Sequence, residues 1–272
     1  MSSISFPAGH HAPRSLHSTW KQMPVWSKAS LMVVTSSSAL FITLFLNSYR
    51  KWKAMGPGGL PYSMKGYLLN LYVTLSMAYS DTKTIAVYER PGDFSSQWLQ
   101  ASEAERSESQ KVFLKTPLQH RVGPPTRALP FAIPQREKNA DVDVDAELRR
   151  KYLAAFDELQ HTNSETTEWK TSLLEKRGKA LFLKSNLPLR CLAAPSHREI
   201  CHIHSSDMSA HVTLSLADAR EVITKGFGER HRLSGTKLLP LGYTMLYVPR
   251  SSDEVDVLVN ILQAGIDYMR SG

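Results

Sequence analysis

Four histidines define the chemistry open to this chain. His202 and His204 lie two residues apart in HIH, and on a strand that spacing sends both imidazoles out of one face. The turn-forming cluster SSDMS separates them from a second alternating run, His211 to Leu216, so the pair reads as a hairpin with His211 at its turn end, within reach of the first two rings. A fourth imidazole, His231, closes GFGERH after a short helix. Neutral imidazole is the commonest metal ligand, but no acidic residue joins these four at a recognisable ligand spacing. Glu199, Asp207 and Glu229 are the nearest, and no metal is expected. A Ser-His-Asp hydrolase lacks its G-x-S-x-G elbow, and no G-x-G-x-x-G stands ready for a flavin or nicotinamide. Cys191 and Cys201 are too few for a disulfide framework and read as buried free thiols, with a single bridge between them as the alternative. Cys201 adjoins His202, yet neighbouring strand residues face opposite ways, so a Cys-His pair would need a bulge. Proton transfer and oxyanion stabilisation in a partly dry pocket remain.

The order REI-x-H-x-H, turn, H-x-T-L-S-L, a D-A-x-E-V helix, G-F-G-E-R-H, and an L-Y-x-P-R strand before an acidic amphipathic helix resembles the fungal luciferase family. IAVYERPGDFSSQWL and PTRALPFAIPQRE fall in similar order upstream, and the likeness is densest from Glu199 to Met269. The resemblance implies oxygenation of a hydroxylated styryl-pyrone without a separate organic cofactor, through a high-energy intermediate whose loss of carbon dioxide leaves an excited product. Dioxygen is then the co-substrate. Such a reaction needs a base to ionise an enol or phenol, a role suited to imidazole with its unperturbed pKa near 6.5. It also needs fixed positive groups beside the developing oxyanion. On this reading His202 or His204 is the base, His211 completes the cluster, and Arg230 with His231 holds the oxyanion. The proline-rich loop approaches the site and offers Arg127, Gln135 and Arg136 as substrate contacts; a plain surface connector is the alternative. Phe227 and Glu229 join them from GFGERH. Luminous members carry Trp where this chain has Phe227, so the resemblance implies a fold and a site rather than light emission.

The elements that must position these residues follow from periodicity. Asp145 to Gln160 places Leu148, Tyr152, Phe156 and Leu159 on one stripe, with Asp145 as N-cap. A second short helix is expected over Trp169 to Lys176, and strands over Thr84 to Tyr88, Ala180 to Lys184 and Gly242 to Val248. Asp218 caps a helix that Gly226 ends, and Ser252 or Asp253 caps the last one. This order indicates an α+β domain with a largely antiparallel sheet and packed helices, over residues 81–272. The five prolines from Pro117 to Pro134 exclude regular structure there.

Charge separates the first third from the rest. Of the net +8, seven charges precede Asp81, the first acidic residue. That argues against a nucleic-acid-binding body and fits a basic collar on anionic lipid. Residues 1–28 read as a disordered basic tail. The 18 uncharged residues from Ala29 to Leu46 are long enough to span a hydrocarbon core of roughly 30 Å, with Trp26 and Trp52 as interface anchors. Arg50, Lys51 and Lys53 favour a cytosolic body. Residues 47–80 form a juxtamembrane segment, within which Tyr67 to Tyr79 docks on the domain or lies at the interface. The expected protein is a single-pass membrane enzyme acting on an aromatic or polyketide-derived small molecule in fungal secondary metabolism. A non-oxidative cyclase or isomerase, or a tethered binding module without catalysis, stands beside it.

Overall fold

A computed structural model of the chain describes residues 20–137 and 145–271. They divide between Lys51 and Trp52 into two units. The first is supplied mainly by α1 (Val25–Ala54), which is long and apolar enough to cross a membrane; none of its most apolar stretch is buried. The expected tail lies largely outside the described residues, and its last residues, from Val25, already belong to this helix. Trp52 is not an interface anchor. It is buried within the second unit, where its indole N–H donates to the carbonyl of Ile133 at 2.8 Å.

The second unit is α+β. Its sheet has six strands, β1 (Thr167–Thr171), β2 (Lys179–Leu183), β3 (Glu199–Ile203), β4 (Ala210–Thr213), β5 (Gly228–Arg230) and β6 (Tyr243–Leu246), in the order β1-β2-β3-β4-β6-β5 with every pair antiparallel. Before it come α2 (Met64–Ser76), the short turns α3 (Ala86–Glu89), α4 (Ser96–Gln100) and α5 (Glu103–Ser109), and the amphipathic α6 (Ala146–Thr162). Then α7 (Leu216–Thr224) precedes β5, and α8 (Ser252–Arg270) ends the chain.

Strand alternation gives the sheet two faces with different contents. Cross-strand pairing sets Leu181, Cys201, Val212, Thr244 and Arg230 in one row. This face packs under helices: Phe156 of α6 meets Trp169 of β1 edge-on at 5.0 Å, and α8 lies so close that a Cβ on Gly265 would come within 2.5 Å of Val212 Cγ2. The other row holds Ala180, His202, His211, Met245 and Glu229. It is a polar row, and it carries the chemistry.

Several local expectations give way to stronger competitors. Thr84 to Tyr88 is not a strand: Asp81 Oδ1 accepts from the N–H groups of Lys83 and Thr84, winding the chain into a turn that α3 continues. Trp169 to Lys176 is not a helix, because its first three residues, Trp169 to Thr171, belong to β1 and pair with Leu181, Ala180 and Lys179 of β2. The cap of α7 is Ser215 rather than Asp218, whose carboxylate instead accepts from the N–H groups of Phe113 and Leu114. The cap of α8 is Ser251. Within GFGERH, Gly228 to Arg230 form β5, an element not among those expected from the sequence.

The closeness of α8 to the sheet is testable. Gly265→Val forces branched carbons into space already held by Val212 and the carbonyl of Thr213. It is expected to cost about 3 kcal/mol, seen as a lower midpoint in chemical denaturation with an unchanged slope; a wild-type midpoint would contradict the packing.

Candidate functional site

The site begins with an irregularity in β3. Leu181 faces Cys201 and Phe182 faces Glu199, so Ile200 is the extra residue of a β-bulge. Three residues apart on a regular strand, Glu199 and His202 would point to opposite faces. With Ile200 turned toward the helices, where its Cγ2 lies 3.7 Å from the position of a Gly265 Cβ, both face the polar side. Glu199 Oε1 is then 2.6 Å from His202 Nδ1. The bulge leaves Cys201 on the helix side, a buried free thiol whose pKa burial pushes up, and no Cys-His pair forms.

Glu199 is buried, and its acceptor capacity is filled by the hydroxyl of Ser172, the N–H groups of Leu173 and Leu174, and His202. A carboxylate only accepts, so His202 donates from Nδ1 and keeps a bare lone pair on Nε2. His204 is set the same way by a longer relay. The Ser209 hydroxyl lies 2.9 and 2.8 Å from the two oxygens of Asp207 and donates there, which leaves its oxygen to accept from His204 Nδ1 at 2.8 Å. His211 stands directly across from His202 in the β3–β4 register and stacks on Tyr243 at 5.1 Å.

The three rings converge on one point. His202 Nε2 is 3.2 Å from His204 Nε2, and His211 Nδ1 is 3.1 Å from the latter and 3.4 Å from the former. Glu175, from the β1–β2 connection, brings Oε1 to 3.7 Å from His204 Nε2. Burial alone would raise the Glu175 carboxyl, but neighbouring His204 and the paired guanidinium of Arg136, 2.6 Å away, hold it down at about 2. Burial lowers the imidazoles: His204 to about 4, with Arg136 adding to the effect, His231 to about 3, and His211 well below its ordinary value. Near neutral pH these three rings are uncharged.

A cavity of about 250 Å³ opens beside the cluster, walled by His202, His211, His231, Tyr243 and Gln135 and by the apolar Ile133, Leu174, Leu233 and Leu239. Two buried polar atoms in this wall, His211 Nε2 and Gln135 Oε1, have no protein partner among the described residues. Gln135 is locked in that orientation because its amide N–H₂ donates to Glu229 Oε1 at 3.2 Å. His231 Nδ1 accepts from the N–H of Leu233 at 3.1 Å, which leaves its proton on Nε2. A larger groove of about 660 Å³ lies along Leu118, Arg121, Phe227 and Val257, away from the cluster.

The expected residues therefore separate. His202, His211, His231 and Gln135 share the cavity wall, and His204 and Arg136 stand just behind it. Arg230 does not join them. As a β5 residue it faces the opposite side from His231, its guanidinium lies 3.9 Å from the centre of the Tyr79 ring, and it donates to the carbonyl of Ser234. Phe227 lines the larger groove under the Arg121 guanidinium, and Arg127 is exposed. Glu229 is a buried junction, accepting from Thr82, Gln135, the N–H of Ala128 and the Tyr247 hydroxyl. Glu175, Tyr243, Leu174 and Leu239 carried no signal of a role in the sequence. Glu199 and Asp207 did, by nearness alone.

This α+β domain, with imidazoles gathered on its polar face, matches the family model described as Luciferase domain over residues 197–265. Along most of its length the chain is similar to fungal luciferases. It is 28% identical to that of Neonothopanus nambi over 94% of this chain and 93% of the relative, and 28% identical to that of Armillaria ostoyae over 87% and 85%. Armillaria mellea luciferase is 27% identical over the same shares. Together these findings support the fungal luciferase-like family that the motifs suggested. No solved structure matches the chain.

Glu229 offers a test of the division between site and scaffold. Its removal strands four buried donors, each worth about 1–3 kcal/mol when unsatisfied. Glu229→Ala is expected to lose about 4 kcal/mol of unfolding free energy. A change under about 1 kcal/mol would return Glu229 to the list of substrate contacts.

Proposed function

We propose that the protein is an oxygenase for a hydroxylated aromatic or pyrone-like small molecule of polyketide type, working without an organic cofactor and with dioxygen as co-substrate. The observation that carries this reading is the largely apolar cavity with two unpartnered polar atoms, His211 Nε2 and Gln135 Oε1, beside a cluster of buried imidazoles. A flat, mostly apolar ring with hydroxyl and carbonyl groups at its edge has the matching chemistry. His202, with Glu199 behind its Nδ1, takes the substrate's hydroxyl proton on Nε2. His211 and His231 hydrogen-bond the resulting oxyanion as neutral donors, which in a water-poor site costs no reorganisation. The electron-rich enolate carbon bonds to dioxygen, and the peroxide oxygen takes up the proton; carbon is oxidised and dioxygen reduced to the peroxide level.

The same reading makes the protein a single-pass membrane enzyme with its domain in the cytosol. Support comes from the exposed apolar length of α1 and the Arg50, Lys51 and Lys53 cluster that follows it. Protease treatment of sealed microsomes is expected to degrade the domain; full protection would put it on the other side.

The chemistry is tested with an oxygen electrode while hydroxylated pyrones and phenols are offered to the purified full chain. Oxygen uptake should match product one for one, and His231→Ala or His202→Ala should slow turnover about a hundredfold or more with the fold retained by circular dichroism. Turnover without oxygen uptake would make the protein a cyclase or isomerase, and binding without turnover a binding module.

A further inference from the structure

We infer that His202, His204, His211 and Glu175 form a binding site for one divalent first-row transition-metal ion at the inner end of the cavity. The four side chains each bring one ligand atom to the same place, all within 4.8 Å of one another, and all four residues are buried. Glu199 and the Ser209–Asp207 relay fix two of the rings with Nδ1 as donor, so two bare Nε2 lone pairs face each other at 3.2 Å. The one proton of neutral His211 satisfies at most one contact in the trio if it sits on Nδ1, and none when it sits on Nε2 to donate into the cavity, so the remaining contacts are lone pair against lone pair. A cation between them turns every one of these contacts to attraction.

The dimensions suit such an ion. The nitrogen triangle has edges of 3.2, 3.1 and 3.4 Å. An ion about 2.0–2.1 Å from each nitrogen would sit less than about 1 Å above that plane, with N–metal–N angles of roughly 95–116°, spanning the tetrahedral value. The carboxylate of Glu175, on the side of His204, supplies the oxygen donor. Arg136 grips that carboxylate through both guanidinium N–H₂ groups, and a Cβ on Gly58 would lie 2.3 Å from Glu175 Oε2, so backbone closes it from behind.

Charge agrees as well. Among the described residues, three acidic groups, Glu175, Glu199 and Asp207, contact the cluster against one guanidinium, Arg136. Two positive charges are lacking, and a divalent ion supplies them. Three imidazoles and one carboxylate suit zinc, iron, nickel or copper better than magnesium or calcium, which take oxygen ligands. Glu199 and the Ser209 hydroxyl hold the other nitrogen of His202 and of His204, the arrangement that orients metal-binding histidines.

Ion binding stands independently of the proposed oxygenase; only its consequence rests on that reading, namely that a substrate oxygen reaching the ion would be ionised there rather than at His202. The test therefore reads binding without substrate. The full chain in detergent is stripped with a chelator and titrated with cobalt(II). One equivalent should bind with the strong visible absorption of a tetrahedral ion and displaceably by zinc. His204→Ala should abolish the band, and Glu199→Gln, which supplies no ligand atom but orients His202 and ties down the backbone before Glu175, should weaken affinity about 10- to 100-fold. X-ray absorption on the zinc-loaded unaltered chain needs no variant, and should show three imidazoles at about 2.0–2.1 Å. No saturable binding of cobalt or zinc, or an absorption spectrum without imidazole scattering, would overturn the inference even in a protein that consumes oxygen.

Discussion

Two imidazole lone pairs held face to face at 3.2 Å inside a water-poor interior form the constraint around which the rest of this domain is arranged. Left alone, either ring would tautomerise or swing away to find a donor. Neither can, because Glu199 occupies one Nδ1 and the Ser209 hydroxyl, itself committed to Asp207, occupies the other. Those acceptors are in turn held by backbone N–H groups from the β1–β2 connection and from the hairpin turn. The sheet thus keeps a strained polar arrangement rigid, as sites that act through preorganised groups require.

One extra residue in β3 makes the arrangement possible. Ile200 turns its side chain into the helix-covered core while Glu199 and His202 remain together on the polar face. Burial under α6 and α8 stabilises the bulged strand, and the bulge aims the orienting carboxylate. Alternation elsewhere is regular, and it sorts the remaining residues just as firmly. His231 and Glu229 share the polar face through β5 and β6, whereas Arg230 between them is sent to the other side.

The histidine cluster was legible from the sequence because it rests on local rules: a two-residue strand period and a turn between two strands. The α+β architecture, α6 with its stripe, and the final helix were legible for the same reason. The separation of Arg230 from His231 was not, since GFGERH contains no β-branched residue to mark the short strand that sends them to opposite faces. Glu175 was invisible because its place depends on chain closure around Glu199 and on the Arg136 loop, 39 residues distant in sequence. Trp52 looked like a membrane anchor by its position after an apolar run, and only the carbonyl of Ile133 reveals that it belongs to the folded unit.

The most direct measurement is the protonation pattern of the imidazoles by two-bond proton–nitrogen correlation spectroscopy on histidine-labelled, metal-free protein near neutral pH. The account predicts His202 and His204 as Nδ1–H tautomers with bare Nε2, and His231 as the Nε2–H tautomer. A proton on Nε2 of His202 or His204 would mean that Glu199 and Ser209 do not hold the rings as described, and the convergence of lone pairs would be lost.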